Sequence, residues 1–202
     1  SVDGDADRFG ILDADGTCIN PNQVLALVLD YLCRTREWKG GAARSIATSH
    51  LVDAVAKKHG IEVYETGVGF KYIGDLLVQG KIIFGGEESA GITIKDHVPE
   101  KDGLLACMLV AEMVAKERKA IKELLKRLYK EVGTILNQRI NIHLTKMNHK
   151  AVNDRLSQPL TELDGFRVKG KKATADGTKY MLDDDSWVLM RTSGTEPVVR
   201  IY

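Results

Sequence analysis

Cysteine is scarce in this chain and unpaired in pattern. Cys18, Cys33 and Cys107 are the only three in 202 residues, an odd number with no metal-ligand spacing. That speaks against a disulfide framework or a paired-cysteine metal site and points to a reducing, cytoplasmic setting. Excess charge of either sign is also missing, because 29 basic residues face 28 acidic ones. Such a balance leaves no basic footprint for nucleic acid and no polybasic membrane surface. The longest apolar run, Leu104 to Ala111, falls far short of the roughly 20 residues of a spanning helix. The chain opens on carboxylates rather than the basic-then-apolar stretch of a signal peptide. The five histidines show no i, i+4 pairing for a metal, and there is no internal repeat or low-complexity tract. What is present suits one or two domains: 44% of residues are apolar, enough for a sizeable core.

The chemistry-bearing residues begin at once, in Ser1-Val-Asp-Gly-Asp-Ala-Asp-Arg8. Asp3, Asp5 and Asp7 are two apart, so a helix would turn them to different faces. A straight strand would align them but hold successive Cα atoms about 6–7 Å apart. A magnesium ion wants oxygens at about 2.0–2.1 Å, so a shared site needs a curled loop, which Gly4 and Ala6 permit. Spacing alone leaves two readings open, a divalent-metal site and a solvated acidic turn. An EF-hand is excluded, since its loop needs Gly at the sixth position and Glu at the twelfth, where this chain has Arg8 and Ala14.

Alternation of short strands and helices follows. Phe9 to Asp13 reads as a strand with Asp13-Ala-Asp-Gly16 as its turn, and Pro21 opens a helix carrying Val24, Leu25, Val28, Leu29 and Leu32. Strands are predicted at 44–48, 61–66 and 81–84, with helices at 51–59, ending at Gly60, and at 70–78. This order predicts an α/β layer with a mostly parallel sheet, whose ligand loops gather at the strands' carboxyl ends. Helices are expected from about Asp102 to Ala115 and from Lys119 to Glu131. After Gly133 the texture changes to strands at 138–145, 166–169, 179–182, 187–191 and 198–202, with a short helix at 150–156, which predicts a small α+β domain.

Three further segments carry candidate chemistry. Arg191-Thr-Ser-Gly-Thr-Glu-Pro197 combines a guanidinium, three hydroxyls and a glycine, the parts of an anion nest for phosphate. A polar hairpin turn is the other reading of the same residues. Gly86-Glu-Glu-Ser-Ala-Gly91 places adjacent glutamates after an apolar strand, suited to sugar hydroxyls or to a plain acidic turn. Asp13-Ala-Asp15-Gly-Thr17 fits the nucleophile signature of haloacid-dehalogenase-type phosphatases, with Asp13 attacking phosphorus and Asp15 as acid/base, or else an ordinary Asp-Gly hairpin turn.

Taken in order, Asp3-Gly-Asp-Ala-Asp-Arg8, Gly86-Glu-Glu-Ser-Ala-Gly91 and Arg191-Thr-Ser-Gly-Thr-Glu-Pro197 resemble the α-D-phosphohexomutases, and Asp96-His-Val-Pro-Glu-Lys-Asp-Gly103 is similar to the phosphoglucomutase branch. The resemblance implies a mixed α/β sheet domain of the phosphohexomutase type followed by a small α+β domain. It implies that residues 1–14 are the tail of a preceding domain carrying the metal loop, 15–135 a sugar-binding domain and 136–202 a truncated phosphate-binding domain. Asp3, Asp5 and Asp7 would ligate Mg2+, and Arg8 would lie beside a phosphoserine. Glu87 and Ser89 would contact vicinal ring hydroxyls, and Gly69, in Gly67-Val-Gly-Phe-Lys71, would contact the ligand. Arg191, Ser193, Gly194 and Thr195 would hold the idle phosphate. Lys101 would be the general acid/base, with Lys71 and His97 as alternatives.

The implied reaction is phosphoryl transfer between O1 and O6 of a hexose through a phosphoserine and a bound hexose 1,6-bisphosphate. The alternatives are the Asp13/Asp15 phosphatase and a non-catalytic phosphosugar-binding module. The family's Thr-Ala-Ser-His-Asn-Pro phosphoserine loop is absent, and Thr48-Ser49-His50 only echoes it. With no initiator methionine and a last residue, Tyr202, inside an apolar run, the chain reads as part of a longer protein. Its partners are then expected to be a hexose phosphate and the remaining amino-terminal domains, and the chain alone is expected to be inactive.

Overall fold

The computed structural model describes residues 1–145, 147–174, 177–193 and 196–202. Two compact units divide it, Ser1–Leu136 and Asn137–Tyr202. In the first, strands β1 (Ile11–Leu12) and β2 (Cys18–Ile19) pair antiparallel across the Asp13–Thr17 turn. Helix α1 (Pro21–Thr35) begins at a capping box, in which the Asn20 side chain accepts from the first turn and Gln23 reaches back to the Asn20 amide at 3.2 Å. Leu25, Val28, Leu29 and Leu32 on α1 are fully buried, each contributing about 1.5–3 kcal/mol of apolar transfer.

Strand β3 (Gly41–Ser45), helix α2 (Leu51–His59), strand β4 (Val63–Thr66), helix α3 (Phe70–Val78), and strands β5 (Ile82–Glu87) and β6 (Gly91–Ile94) follow. Their sheet runs β4-β3-β5-β6, with β3 parallel to β4 and β5, and β6 antiparallel at the edge. Helices α4 (Gly103–Glu117) and α5 (Ile121–Val132) complete the unit. Neighbouring residues of β3 face opposite ways: Ala42 joins the large core with α1, α2, α4 and α5, while Ala43 packs with Phe70 and Ile73 of α3. Two helical layers therefore cover the sheet.

Sequence and structure differ at the fourth strand, expected to end at Phe84. It continues to Glu87 because a Cβ at Gly85 would lie 2.2 Å from Ile73 and one at Gly86 2.5 Å from Leu25, so only glycines let the backbone run between the two helical layers. It then folds back as β6, a strand the pattern did not suggest, and the Gly86–Gly91 motif becomes a hairpin tip. The strand expected at 44–48 likewise lies at Gly41–Ser45, since the chain turns there, with the Thr48 amide donating to the Ser45 carbonyl at 3.0 Å.

The second unit contains β7 (Ile140–His143), α6 (His149–Ser157), β8 (Glu162–Leu163), β9 (Phe166–Thr174), β10 (Gly177–Leu182), β11 (Trp187–Thr192) and β12 (Val198–Ile201). The sheet order is β7-β12-β11-β10-β9-β8, and every pairing is antiparallel. Its core holds Tyr180, Leu182, Leu189, Val198 and Val199, and the Lys179 ammonium lies 4.1 Å above the Trp187 ring. No helix among the described residues is long and apolar enough to cross a membrane.

Candidate active site

The opening acidic run does curl into a loop. Val2 bridges Phe9, the Asp3 amide donates to the Arg8 carbonyl at 3.3 Å, and Ala6 adopts a left-handed φ of 58°. One carboxylate oxygen from each of Asp3, Asp5 and Asp7 then lies within 4.8 Å of the others. The Arg8 amide steadies Asp3 at 3.2 Å, while the Arg8 guanidinium stays largely exposed, 3.8 Å from Asp7. Asp7 is divided in function. Its Oδ2 lies 2.8 Å from Lys101 Nζ, whereas its Oδ1 is buried without a hydrogen-bond partner. Three clustered carboxylates, one of which also carries a desolvated oxygen without a hydrogen bond, fit a divalent cation of the magnesium type.

Helix α4 seats this loop. Asp102 caps the helix through Leu105 at 3.0 Å, and the Gly103 amide donates to the Ala6 carbonyl at 3.0 Å. A Cβ at Gly103 would lie 2.5 Å from the Arg8 carbonyl oxygen, so glycine is what lets loop and helix meet. Lys101, two residues earlier, reaches Asp7. Burial pulls its ammonium pKa down, but the Asp7 hydrogen bond and the Asp7 and Glu100 charges outweigh that and raise it above the usual lysine value. The rival proton carriers are placed differently: His97 pairs with Asp102 at 2.9 Å, and Lys71 lies exposed 4.9 Å from the Tyr72 ring.

The hairpin tip sits beside this loop, joined by a 3.2 Å bond from the Phe9 amide to the Ala90 carbonyl. Glu87 is buried and accepts from the Gly69 amide at 2.9 Å, so the two predicted sugar-loop elements are tied together. Burial pushes the Glu87 carboxyl upward, against the Gly69 bond. Ser89 is half-buried at the tip. Glu88, read from the sequence with Glu87 as one of two adjacent glutamates suited to sugar hydroxyls, is held by Ser45 Oγ at 3.0 Å.

Asp13 proves to be structural. Its Oδ1 accepts from Ala14 at 2.9 Å and Ile121 at 3.1 Å, and its Oδ2 from Lys122 at 3.0 Å, so it caps α5 from outside the helix. Burial raises its pKa, but the three amides prevail and hold it below the usual carboxylate value. Asp15 is engaged by Lys122 Nζ at 2.5 Å and the Thr17 amide at 3.0 Å. With both carboxylates committed to the fold, the phosphatase reading of Asp13/Asp15 is corrected to a capped turn.

In the second unit, Arg191, the penultimate residue of β11, has a buried Nε without a hydrogen-bond partner. The Ser193 amide donates to Val198 at 2.9 Å, and Ser193 Oγ accepts from the Glu196 amide at 3.3 Å, forming the turn that leads into β12. Gly194 and Thr195 lie outside the described residues.

Comparison with known proteins decides the family. Residues 20–132 match the model of "Phosphoglucomutase/phosphomannomutase, alpha/beta/alpha domain III", and residues 140–202 that of the C-terminal domain. The chain belongs to the phosphoglucomutase/phosphomannomutase family. Residues 1–19, with the acidic loop, lie outside both matches. The chain is 35% identical over 201 residues to a phosphoglucomutase/phosphomannomutase of Thermococcus kodakarensis, covering 99% of this chain and 41% of the relative. It is 30% identical to a phosphoglucosamine mutase of Campylobacter curvus, over 100% of this chain and 40% of that one. The solved open form of parafusin, a Paramecium phosphoglucomutase, superposes with a TM-score of 0.81 at 27% identity, covering 99% of this chain and 39% of parafusin. The chain thus spans about two-fifths of the relatives it matches.

The mixed α/β sheet domain followed by an antiparallel-sheet domain is the architecture that the family's third and fourth domains imply. Pattern reading overlooked Gly103 and the Ser45–Thr48–Glu88 group. The Lys-Asp-Gly step was the available signal for the first. Nothing local marks the second, whose members are about 40 residues apart.

Proposed function

We propose that this chain carries the metal-, sugar- and phosphate-binding portion of a phosphohexomutase whose phosphoserine lies outside these 202 residues. The complete protein would transfer a phosphoryl group between O1 and O6 of a hexose through a bound 1,6-bisphosphate. The supporting observation is the convergence of Asp3, Asp5 and Asp7, with Asp7 Oδ1 buried and without a hydrogen bond, beside Lys101. Asp3, Asp5 and Asp7 would hold Mg2+, which when bound neutralises charge on the phosphoryl group in transfer.

The chain's own residues divide the remaining work. Lys101, held protonated by Asp7, gives its proton to the oxygen that the phosphoryl group leaves and takes the proton of the attacking hydroxyl in the same step, so each transfer ends with the ammonium restored. Arg8, exposed beside Asp7, would lie next to the phosphoserine. Glu87 and Ser89 bind mid-ring hydroxyls, so either end of the sugar can face the nucleophile, and Gly69 lines the same loop cluster. Arg191 and Ser193, with Gly194 and Thr195 from the family motif, grip the idle phosphate. The unpaired cysteines favour a cytoplasmic location.

Calorimetric titration with hexose 1,6-bisphosphate in Mg2+ tests this reading. Arg191→Ala should weaken binding about tenfold, the scale of one charge-assisted contact, and unchanged affinity would contradict the phosphate site. The chain alone should not turn over hexose 1-phosphate, and measurable turnover would place the nucleophile within it.

A further inference from the structure

We propose that Ser45 and Thr48 are positioning residues, acting through Glu88 to fix the sugar-binding hairpin tip. The inference rests on the reading of Glu87 and Ser89 as sugar ligands. Glu88 lies between those two residues, and its carboxylate is drawn back into the unit rather than outward. Its Oε2 accepts from Ser45 Oγ at 3.0 Å and Thr48 Oγ1 at 3.4 Å, and its amide donates to Thr48 Oγ1 at 3.1 Å. Both hydroxyl residues are fully buried, and their oxygens are 2.9 Å apart. Thr48 therefore grips Glu88 by main chain and side chain together.

The anchor itself is rigid. Below it, the buried Arg44 guanidinium joins Asp53 of α2 at 2.5 Å and Glu65 of β4 at 2.9 Å. Beside it, Asn22 of α1 accepts from the Ser49 amide at 2.9 Å. The β3–α2 turn is thus pinned to three elements, and through Glu88 it pins the hairpin tip. Glu87, on the other side, is held by Gly69 from the β4–α3 loop. Two loops at the carboxyl ends of neighbouring parallel strands therefore hold the two adjacent carboxylates of one tip. Free rotation of the tip would spread Ser89 over several orientations, and a supporting hydrogen bond removes that loss before the sugar arrives. The Thr48-Ser49-His50 run thereby acquires a role apart from its echo of a phosphoserine loop.

The test compares the wild-type 202-residue chain with Thr48→Val and Thr48→Ser. Amide hydrogen exchange at Glu88 and Ala90 reports on the anchor without ligand. Titration with hexose 1,6-bisphosphate and with an analogue lacking the mid-ring hydroxyls reports on its purpose. Thr48→Val should speed exchange at Glu88 and weaken the parent sugar about tenfold while leaving the analogue's affinity unchanged, and Thr48→Ser should restore both. Glu88→Gln, which keeps both buried hydroxyls, should discriminate in the same direction if Thr48→Val fails to fold. Unchanged exchange, or equal losses for parent and analogue, would overturn the proposal. A wild-type chain that binds neither sugar would overturn the sugar reading beneath it, and the exchange arm would still decide whether Thr48 holds Glu88.

Discussion

Replacing Asp13 with Ala separates the capping role from the nucleophilic one. Asp13 is only 8% exposed and accepts three backbone amides, two of them from the first turn of α5. Loss of a helix cap costs about 0.5–2 kcal/mol, and amides left unpaired in a buried position add to it. An overall loss of about 2 kcal/mol is expected, lowering the melting temperature of the first unit by roughly 6 °C at about 3 °C per kcal/mol. An asparagine side chain retains one acceptor oxygen, so Asp13→Asn should lose about half as much. Scanning calorimetry at pH 7 measures both, alongside hydrolysis of an aryl phosphate. An unchanged melting temperature in Asp13→Ala would refute the cap. A real hydrolase activity abolished by Asp13→Asn would restore the nucleophile.

The buried Asp30 carboxylate binds Arg34 at 2.8 Å, Lys58 at 2.6 Å and His59 at 2.8 Å, so Asp30→Asn should destabilise the first unit by about 3 kcal/mol in denaturant titration. Burial raises the Asp30 pKa, but Lys58, His59 and Arg34 bring it down to about 2, below the unfolded value. Its contribution is therefore full above about pH 4 and lost as pH falls towards 2, and the variant should flatten that acid limb; an identical limb would contradict it. Gly103→Ala forces a Cβ to 2.5 Å from the Arg8 carbonyl, so Mn2+ affinity followed by electron paramagnetic resonance should fall about tenfold, and normal affinity would show that the loop yields. Asp7→Asn should weaken Mn2+ comparably while keeping the fold, and an unaltered affinity would remove Asp7 from the ligand set.

Much of the fold was legible where local chemistry punctuates the chain. Pro21 marked the start of α1, and the observed Asn20–Gln23 capping box accounts for it. Gly60 in the left-handed conformation marked the end of α2, and α3 spans 70–78 between two glycines as its pattern implies. The acidic loop was legible because period-two carboxylates have no regular element in which to converge. What stayed hidden depends on distant partners. The fourth strand's glycines read as a loop because their need for space arises from Leu25 and Ile73 on separate helices. Strand β9 runs to Thr174 rather than Lys169 because pairing with β10 recruits residues of weak strand preference. Asp13 resembled a nucleophile because its real partners, Ile121 and Lys122, lie more than 100 residues away. The tie between Glu88 and Thr48 is hidden for the same reason.

The central claim is that one molecule carries both a sugar-binding hairpin tip and a phosphate turn for a hexose bisphosphate. Heteronuclear NMR during titration with hexose 1,6-bisphosphate and Mg2+ tests it most directly. Amide shifts should concentrate at residues 3–8, 67–69, 86–91 and 191–193. Shifts centred on 13–17, or none at saturating sugar, would contradict it.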